Sequence, residues 1–186
     1  MSEFCSDCKK DGQALKGLWY AASYAQPLIK QLIKSFKYEG LIEINDLLSH
    51  LVWAVLKSQG LPPAWHSISL NKWIISPIPL SNRKFRTRGF NQAELIAKNL
   101  SCLSGLNFEN SLVRQRHTLR QSRLNDAWRQ SNLAGAFILA DNINPTSKIY
   151  LLVDDVYTSG ATMENCARVL KQAGAVEVWG LVVAKG

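Results

Sequence analysis

The sequence lacks a long apolar segment, has few cysteines and is short of acidic residues. Its best apolar stretch, residues 47–56, contains Ser49 and His50 and falls well below the roughly 20 residues that span a bilayer. Four cysteines in 186 residues do not make a disulfide scaffold. The first residues have no basic start followed by an apolar core, so we expect no signal peptide and a cytoplasmic protein.

The shortage of acidic residues leaves a large positive charge. Against 14 Asp and Glu stand 22 Lys and Arg, for a net charge of +8, while 47% of the residues are hydrophobic, as in ordinary one-domain globular proteins. A surplus of this kind attracts phosphates, pyrophosphate or nucleic acid. Residues 83–88 carry four positive charges, and residues 114–129 carry five Arg against one Asp, so these two segments account for the whole excess.

The first half of the chain has the periodicity of helices followed by a strand. A helical pattern begins at Pro27, is interrupted at Gly40 and continues over residues 44–56. Residues 73–78 are short, apolar and partly β-branched, which predicts a buried strand. Asn91, with a glutamate three residues later, predicts a capped start for the helix that follows.

The last third of the chain has the pattern of a βαβ unit. Residues 149–153 and 176–183 are compact apolar segments, and residues 163–172 between them have helical spacing. A strand, a crossover helix and a second strand predict a parallel pair. The sequence therefore predicts an α/β fold.

Chemically, the most informative residues follow the first strand of that unit. The strand ends in Asp154 and Asp155, and a loop of small and hydroxyl residues then leads into the helix. Ligands of open α/β sheets bind at the carboxyl ends of strands, and a helix N-terminus offers backbone amides to a phosphate. Gly160 permits a tight turn there. Carboxylates accept hydrogen bonds from ribose hydroxyls, directly or across Mg²⁺, so the segment predicts a site for a ribose 5-phosphate.

Receiver domains and dinucleotide-binding folds also carry acidic or glycine-rich loops after a strand. A receiver domain needs its phosphoacceptor Asp on a later strand, and only 31 residues follow Asp155. A Rossmann dinucleotide site needs G-x-G-x-x-G, which the sequence lacks. Two simpler alternatives stay open: the acidic pair caps the next helix, and residues 83–88 form a solvated basic surface.

Four segments together resemble the ComF/GntX family, whose members contain a type I phosphoribosyltransferase domain. Leu151–Thr162 resembles the motif that binds phosphoribosyl pyrophosphate (PRPP) in these enzymes. Residues 34–40, 77–94 and 116–137 resemble three further segments of the family, in the same order along the chain. The match of all four is more specific than any one motif.

The resemblance implies a type I phosphoribosyltransferase-like fold, with a parallel sheet flanked by helices and a helical N-terminal extension. Residues 1–22 would be the remnant of a cysteine knuckle, and residues 23–186 would form the phosphoribosyltransferase-like domain. Cys5 and Cys8 form one CxxC, whereas the family knuckle usually has four cysteines, so a Zn²⁺ site built on them would be incomplete.

The same resemblance implies roles for individual residues. Asp154 and Asp155 would be the catalytic acidic pair that binds the ribose hydroxyls. The ribose 5-phosphate loop would consist of Val156, Tyr157, Thr158, Ser159, Gly160, Ala161 and Thr162. Pyrophosphate would be bound by Leu80, Ser81, Asn82, Arg83, Lys84 and Arg88. Arg116, Arg120, Arg123 and Arg129 would belong to a flexible loop that closes over the site.

The function implied by the resemblance is transfer of a phosphoribosyl group from PRPP, with Mg²⁺, to an unidentified acceptor. The family also implies a role in competence and DNA uptake, with competence proteins as partners. Thr158 stands where some phosphoribosyltransferases have an acidic base, and a threonine hydroxyl does not act as a carboxylate base. The alternative is a non-catalytic competence accessory protein that senses PRPP or binds single-stranded DNA.

Overall fold

A five-stranded parallel sheet, in the order β1-β7-β6-β2-β3, forms the centre of the fold. The computed structural model describes residues 13–58, 70–115 and 135–186. The sheet strands are β1 (Leu18–Ser23), β2 (Trp73–Pro77), β3 (Asn107–Phe108), β6 (Ile149–Tyr157) and β7 (Glu177–Lys185). Two further strands, β4 (Leu112–Arg114) and β5 (Phe137–Leu139), form a separate antiparallel pair. The predicted parallel sheet is confirmed.

Helices cover both faces of this sheet. They are α1 (Pro27–Tyr38), α2 (Ile44–Ser58), α3 (Asn82–Arg88), α4 (Gln92–Ser104) and α5 (Ala161–Gln172), with a short 3₁₀ turn at Leu70–Lys72. Helix α1 starts at Pro27, so this prediction is confirmed. A proline is suited to the first turn because no helical hydrogen bond is lost there. Asn91 caps α4 as predicted, accepting a hydrogen bond from the amide of Ala93. In the described residues, no helix has both the length and the apolar character needed to cross a bilayer.

Alternate residues of β6 face two different halves of the core. Ile149, Leu151 and Val153 pack with α1, α2 and α4, whereas Tyr150 and Leu152 pack with α5 and the β4–β5 pair. All five side chains are at most 1% exposed, as expected for a central strand of a parallel sheet covered on both faces. This alternation decides where the acidic residues further along the strand are directed.

Strand β1 spans the predicted domain boundary between residues 22 and 23. Its residues Leu18–Ser23 pair in parallel with Gly180–Lys185 of β7. The sheet therefore starts before that boundary, because β7 offers hydrogen-bonding groups on the edge that β6 leaves open. Cys5 and Cys8 lie outside the described residues, so the cysteine knuckle stays a prediction.

Candidate functional site

Strand β6 brings the acidic pair to the carboxyl edge of the sheet and directs the two side chains to opposite faces. The apolar pattern predicts a strand that ends before Asp154, but the pairing of β6 with β7 continues to Tyr157. Successive side chains of a strand alternate between faces. Asp155 therefore lies on the face covered by α1, and Asp154 lies on the face covered by α5. The two carboxylates share one strand end but have different surroundings.

Asp155 forms a shielded ion pair with Lys37 of α1. The Lys37 Nζ lies 2.8 Å from the Asp155 Oδ1, and the two side chains are only 17% and 10% exposed. Sequence reasoning missed Lys37 as a site residue. The available signal was its position in the segment 34–40, next to the last apolar residue of the helical stripe. Nothing in that pattern indicated that the lysine would reach a strand far along the chain.

Asp154 has a strongly altered acidity. Burial, and secondarily the charge of Asp155, raise its pKa to about 7. The backbone amide of Asp155 donates a hydrogen bond of 2.8 Å to Asp154 Oδ1, and Lys37 and Lys84 also favour the charged form, but these effects are smaller. Asp154 therefore binds its proton much more tightly than an ordinary aspartate does.

The loop between β6 and α5 is short and leads directly into the N-terminus of the helix. Thr158 and Ser159 are exposed, and Gly160 adopts a left-handed conformation with φ of 74° immediately before the first turn of α5. Among the described residues, no side chain caps this helix start, so its amides remain available to a ligand. The Tyr157 ring lies directly over Gly160, so a side chain at residue 160 would meet the ring.

Two residues predicted in the phosphate loop belong to the strand instead. Val156 and Tyr157 pair with Ala184 and Lys185 of β7. Their backbone groups are engaged in the sheet, and their side chains pack against the two halves of the core. The loop itself consists of Thr158, Ser159 and Gly160 and runs into α5, whose first residues are Ala161 and Thr162.

The predicted pyrophosphate segment is mostly helical rather than a turn. Leu80 and Ser81 follow β2, and Asn82 already begins α3, because the Ser81 hydroxyl caps the helix by accepting from the Lys84 amide at 3.4 Å. Arg83 and Lys84 lie on the exposed surface of this helix, as does Arg86. The basic side chains of this segment are therefore distributed around a helix.

Arg88, the last residue of α3, is held by its neighbours. Its Nη1 donates a hydrogen bond of 3.0 Å to the Gln92 Oε1, and its Nη2 donates one of 3.4 Å to the Tyr38 hydroxyl. These contacts join α3 to the start of α4 and to the end of α1.

Lys84 of α3 is influenced by charges of both signs. Although the Lys84 side chain is exposed, surrounding protein atoms partly desolvate its ammonium group, and this desolvation, followed by the charges of Arg88 and Arg114, lowers its pKa, whereas Asp154 raises it. Burial lowers the pKa of Arg114 on β4, and the charge of Asp154 partly offsets this decrease. Leu80, Asn82 and Arg114 line one cleft of about 220 Å³. Helix α1 brings the acidic strand end and the basic helix close together, because Lys37 contacts Asp155 and Tyr38 contacts Arg88.

The other predicted site residues lie outside the described part of the chain. These are Arg116, Arg120, Arg123 and Arg129 of the predicted flexible loop, and Cys5 and Cys8 of the predicted zinc site. The described strands β4 and β5 lie on either side of the loop segment in the chain, and the charge of Arg114 on β4 lowers the pKa of Lys84. Within residues 13–58, 70–115 and 135–186, no three His, Cys, Asp or Glu side chains cluster as metal ligands would.

The chain is similar to curated proteins over almost its whole length. It is 32% identical to Competence protein F of Haemophilus influenzae, over 98% of this chain and 80% of that protein. It is 33% identical to the DNA utilization protein YhgH of Escherichia coli K12, over 95% of this chain and 76% of that protein. Competence protein ComFC of Streptococcus pneumoniae is 26% identical over 96% of this chain and 73% of that protein.

Other similarities of this chain are weaker. No family model matches the chain. A solved structure of the allosteric regulatory enzyme of purine biosynthesis superposes with a TM-score of 0.45 at 18% identity, over 74% of this chain and 25% of that chain, which is too distant to support an argument. The alignment with Competence protein F, at 32% identity over nearly the full chain, is sufficient: the protein belongs to the ComF family of competence proteins.

Proposed function

We propose that this protein binds PRPP with Mg²⁺ and transfers the phosphoribosyl group to an acceptor, as part of competence or DNA utilisation. The names of its relatives support the biological role. The observation that carries the biochemical proposal is that adjacent residues of α1 contact both segments: Lys37 lies 2.8 Å from Asp155, and the Tyr38 hydroxyl accepts a hydrogen bond of 3.4 Å from Arg88. A ligand with a sugar at one end and a diphosphate at the other fits this distribution of charge.

Each part of the site has a separate task in this proposal. The carboxylates of Asp154 and Asp155 accept hydrogen bonds from the ribose hydroxyls, and the amides from Thr158 to Thr162 hold the 5-phosphate. When the bond between C1 and the diphosphate oxygen breaks, the diphosphate leaves with the electron pair and the acceptor forms the new bond to C1. Lys84 and Arg88 stabilise the negative charge that develops on the leaving group.

Magnesium fits this site as an ion that arrives with the diphosphate. The described residues offer the carboxylates of Asp154 and Asp155, and Lys37 already compensates the second of them. Mg²⁺ commonly keeps water ligands and takes one or two carboxylates together with substrate phosphates. Bound in this way, it would neutralise diphosphate charge, and the protein's own cations would complete the neutralisation.

The proposal is tested by calorimetric titration of the wild type with PRPP and Mg²⁺. We expect binding, and a loss of affinity of about tenfold or more in Asp154→Asn and in Asp155→Asn, because each removes a charge-assisted hydrogen-bond acceptor. Asp141→Asn is the matched control, since it changes the same chemical group at an exposed position.

A wild type that does not bind PRPP contradicts the proposal. If PRPP binds, release of pyrophosphate in the presence of candidate acceptors distinguishes transfer from sensing. An acceptor screen that releases none, on a protein that binds tightly, favours the non-catalytic sensor.

A second function is favoured by the surface of α3. Arg83, Lys84 and Arg86 are exposed, and Phe85 between them is 48% exposed. Basic side chains around an exposed aromatic ring are typical of single-stranded DNA binding, since the cations contact phosphates and the ring stacks on a base. We propose single-stranded DNA binding as the alternative activity of this surface.

For this alternative, we expect a fluorescent oligothymidine to bind with an affinity that falls as salt rises, because phosphate contacts release counterions. Phe85→Ala should weaken binding by about fivefold or more if the ring stacks on a base. Phe108→Ala is the comparison, as Phe108 is partly buried on β3. Binding that is independent of salt contradicts the phosphate contacts. Equal affinities of the two variants contradict the stacking of Phe85 on a base.

A further inference from the structure

The last turn of α1, residues 36–38, contacts both halves of the candidate site. Lys37 pairs with Asp155 on β6 at 2.8 Å. The next residue, Tyr38, accepts a hydrogen bond from Arg88 at 3.4 Å, and the Arg88 guanidinium carbon lies 5.1 Å from the centre of its ring. Consecutive side chains of one helical turn therefore reach the acidic strand end and the basic helix α3.

Phe36 fixes the position of this turn. Its side chain is fully buried, and its ring centre lies 5.6 Å from that of Phe90, in the connection between α3 and α4. Ile33, one turn earlier, is also fully buried. Close-packed side chains of this size do not shift without opening the core. Lys37 and Tyr38 thus extend from a rigid base.

The Lys37–Asp155 pair sets the orientation of one carboxylate before a ligand binds. Both side chains are largely shielded from solvent. Loss of either charge leaves the other poorly compensated, so the paired geometry is strongly preferred. A carboxylate that is already oriented loses less conformational freedom when it accepts a ribose hydroxyl.

Arg88 is oriented in a similar way at the other end. Its hydrogen bond to Gln92 reaches a side chain that is 1% exposed, and the Tyr38 ring lies on another side of the guanidinium. The Gln92 Nε2 is buried and has no hydrogen-bond partner among the described residues. The amide group that orients Arg88 therefore keeps one unpaired donor.

We propose that the last turn of α1 is a positioning element for the ligand, in which Lys37 orients Asp155 for the sugar and Tyr38 orients Arg88 for the diphosphate. This inference rests on the proposed PRPP site. Because the two residues are adjacent on one rigid turn, α1 sets the spacing between the two ends. The ligand class it selects is a sugar phosphate that carries a diphosphate, in preference to either part alone.

The test compares three probes by calorimetry: PRPP with Mg²⁺, ribose 5-phosphate, and pyrophosphate with Mg²⁺. Lys37→Met should weaken ribose 5-phosphate by about tenfold or more, because Asp155 loses its partner. Its affinity for pyrophosphate should stay within about twofold of that of Lys34→Met, which removes the same charge from an exposed position on the same helix. Lys37→Arg should restore ribose 5-phosphate binding, since it keeps the ion pair.

The second variant probes the other end. Tyr38→Ala should lower the affinity for pyrophosphate by about two- to fivefold, because an exposed cation–π contact contributes modestly. The affinity for ribose 5-phosphate should not change. Tyr38 is 68% exposed, so this variant carries the test if Lys37→Met does not fold. Both variants should weaken PRPP.

Two patterns overturn the positioning role alone. One is equal affinity of Lys37→Met and Lys34→Met for ribose 5-phosphate in a wild type that binds PRPP. The other is an equal loss for all three probes in Lys37→Met with no recovery in Lys37→Arg, as expected from general destabilisation. A wild type that binds none of the three probes overturns the proposed PRPP site itself, and this inference with it.

Discussion

Asp155→Ala should lower the free energy of unfolding by about 2–3 kcal/mol, because it leaves the Lys37 ammonium without its partner in a shielded position. The expected loss is below that of a fully buried pair, since the Lys37 side chain is 17% exposed and retains some access to water. Urea denaturation of the two proteins measures the difference.

A double-mutant cycle separates this interaction from other effects of the substitution. Lys37→Met with Asp155→Ala should be less destabilising than the two single losses added together, because neither charge is then left alone. The pair of Lys98 and Glu94, at 2.7 Å on the surface of α4, is the control, and its coupling should be about 0.5 kcal/mol or less. Equal coupling energies in the two pairs would show that the shielding of Lys37 and Asp155 has no energetic consequence.

The free energy of unfolding should also decrease as the pH rises from about 4 to about 7. The pKa of Asp154 is 3.8 as a free side chain and is raised to about 7 in the folded protein. Between these values the folded state holds a proton that the unfolded state has released, so stability falls with rising pH. One such proton gives a slope of at most about 1.4 kcal/mol per pH unit. Above pH 7 the contribution of this group is already lost.

Asp154→Asn isolates this effect from the other groups that titrate in the same range. As the pH rises from 4 to 7, the wild type should lose stability relative to the variant. Urea denaturation at several pH values measures the difference in unfolding free energy. The same ionisation favours a ligand that needs the carboxylate, so PRPP affinity should rise over this range. A pH-independent difference between the two proteins would refute the altered acidity of Asp154.

Local patterns predict the parts of the fold that depend on neighbouring residues. Pro27 and the apolar spacing that follows it predict α1, and the segments 149–153 and 176–183 predict two paired strands. Strand β1 was missed, although it lies in the same sheet. Its residues Leu18–Ser23 have a mixed apolar pattern, and they form a strand because β7 offers them a partner. The contribution of a distant partner strand is not visible in the local sequence pattern.

The same division holds for the candidate site. By itself the sequence identified two chemically distinct segments of the candidate site: the acidic pair with the loop around Gly160, and the basic segment at 83–88. Within each segment the residues are adjacent in the chain, so local geometry keeps them together. The tertiary structure alone decided that Asp154 and Asp155 face opposite sides and that Lys37 pairs with only one of them. The alternation of β6 and the packing of α1 on the sheet set those contacts, and both depend on residues far apart in the sequence.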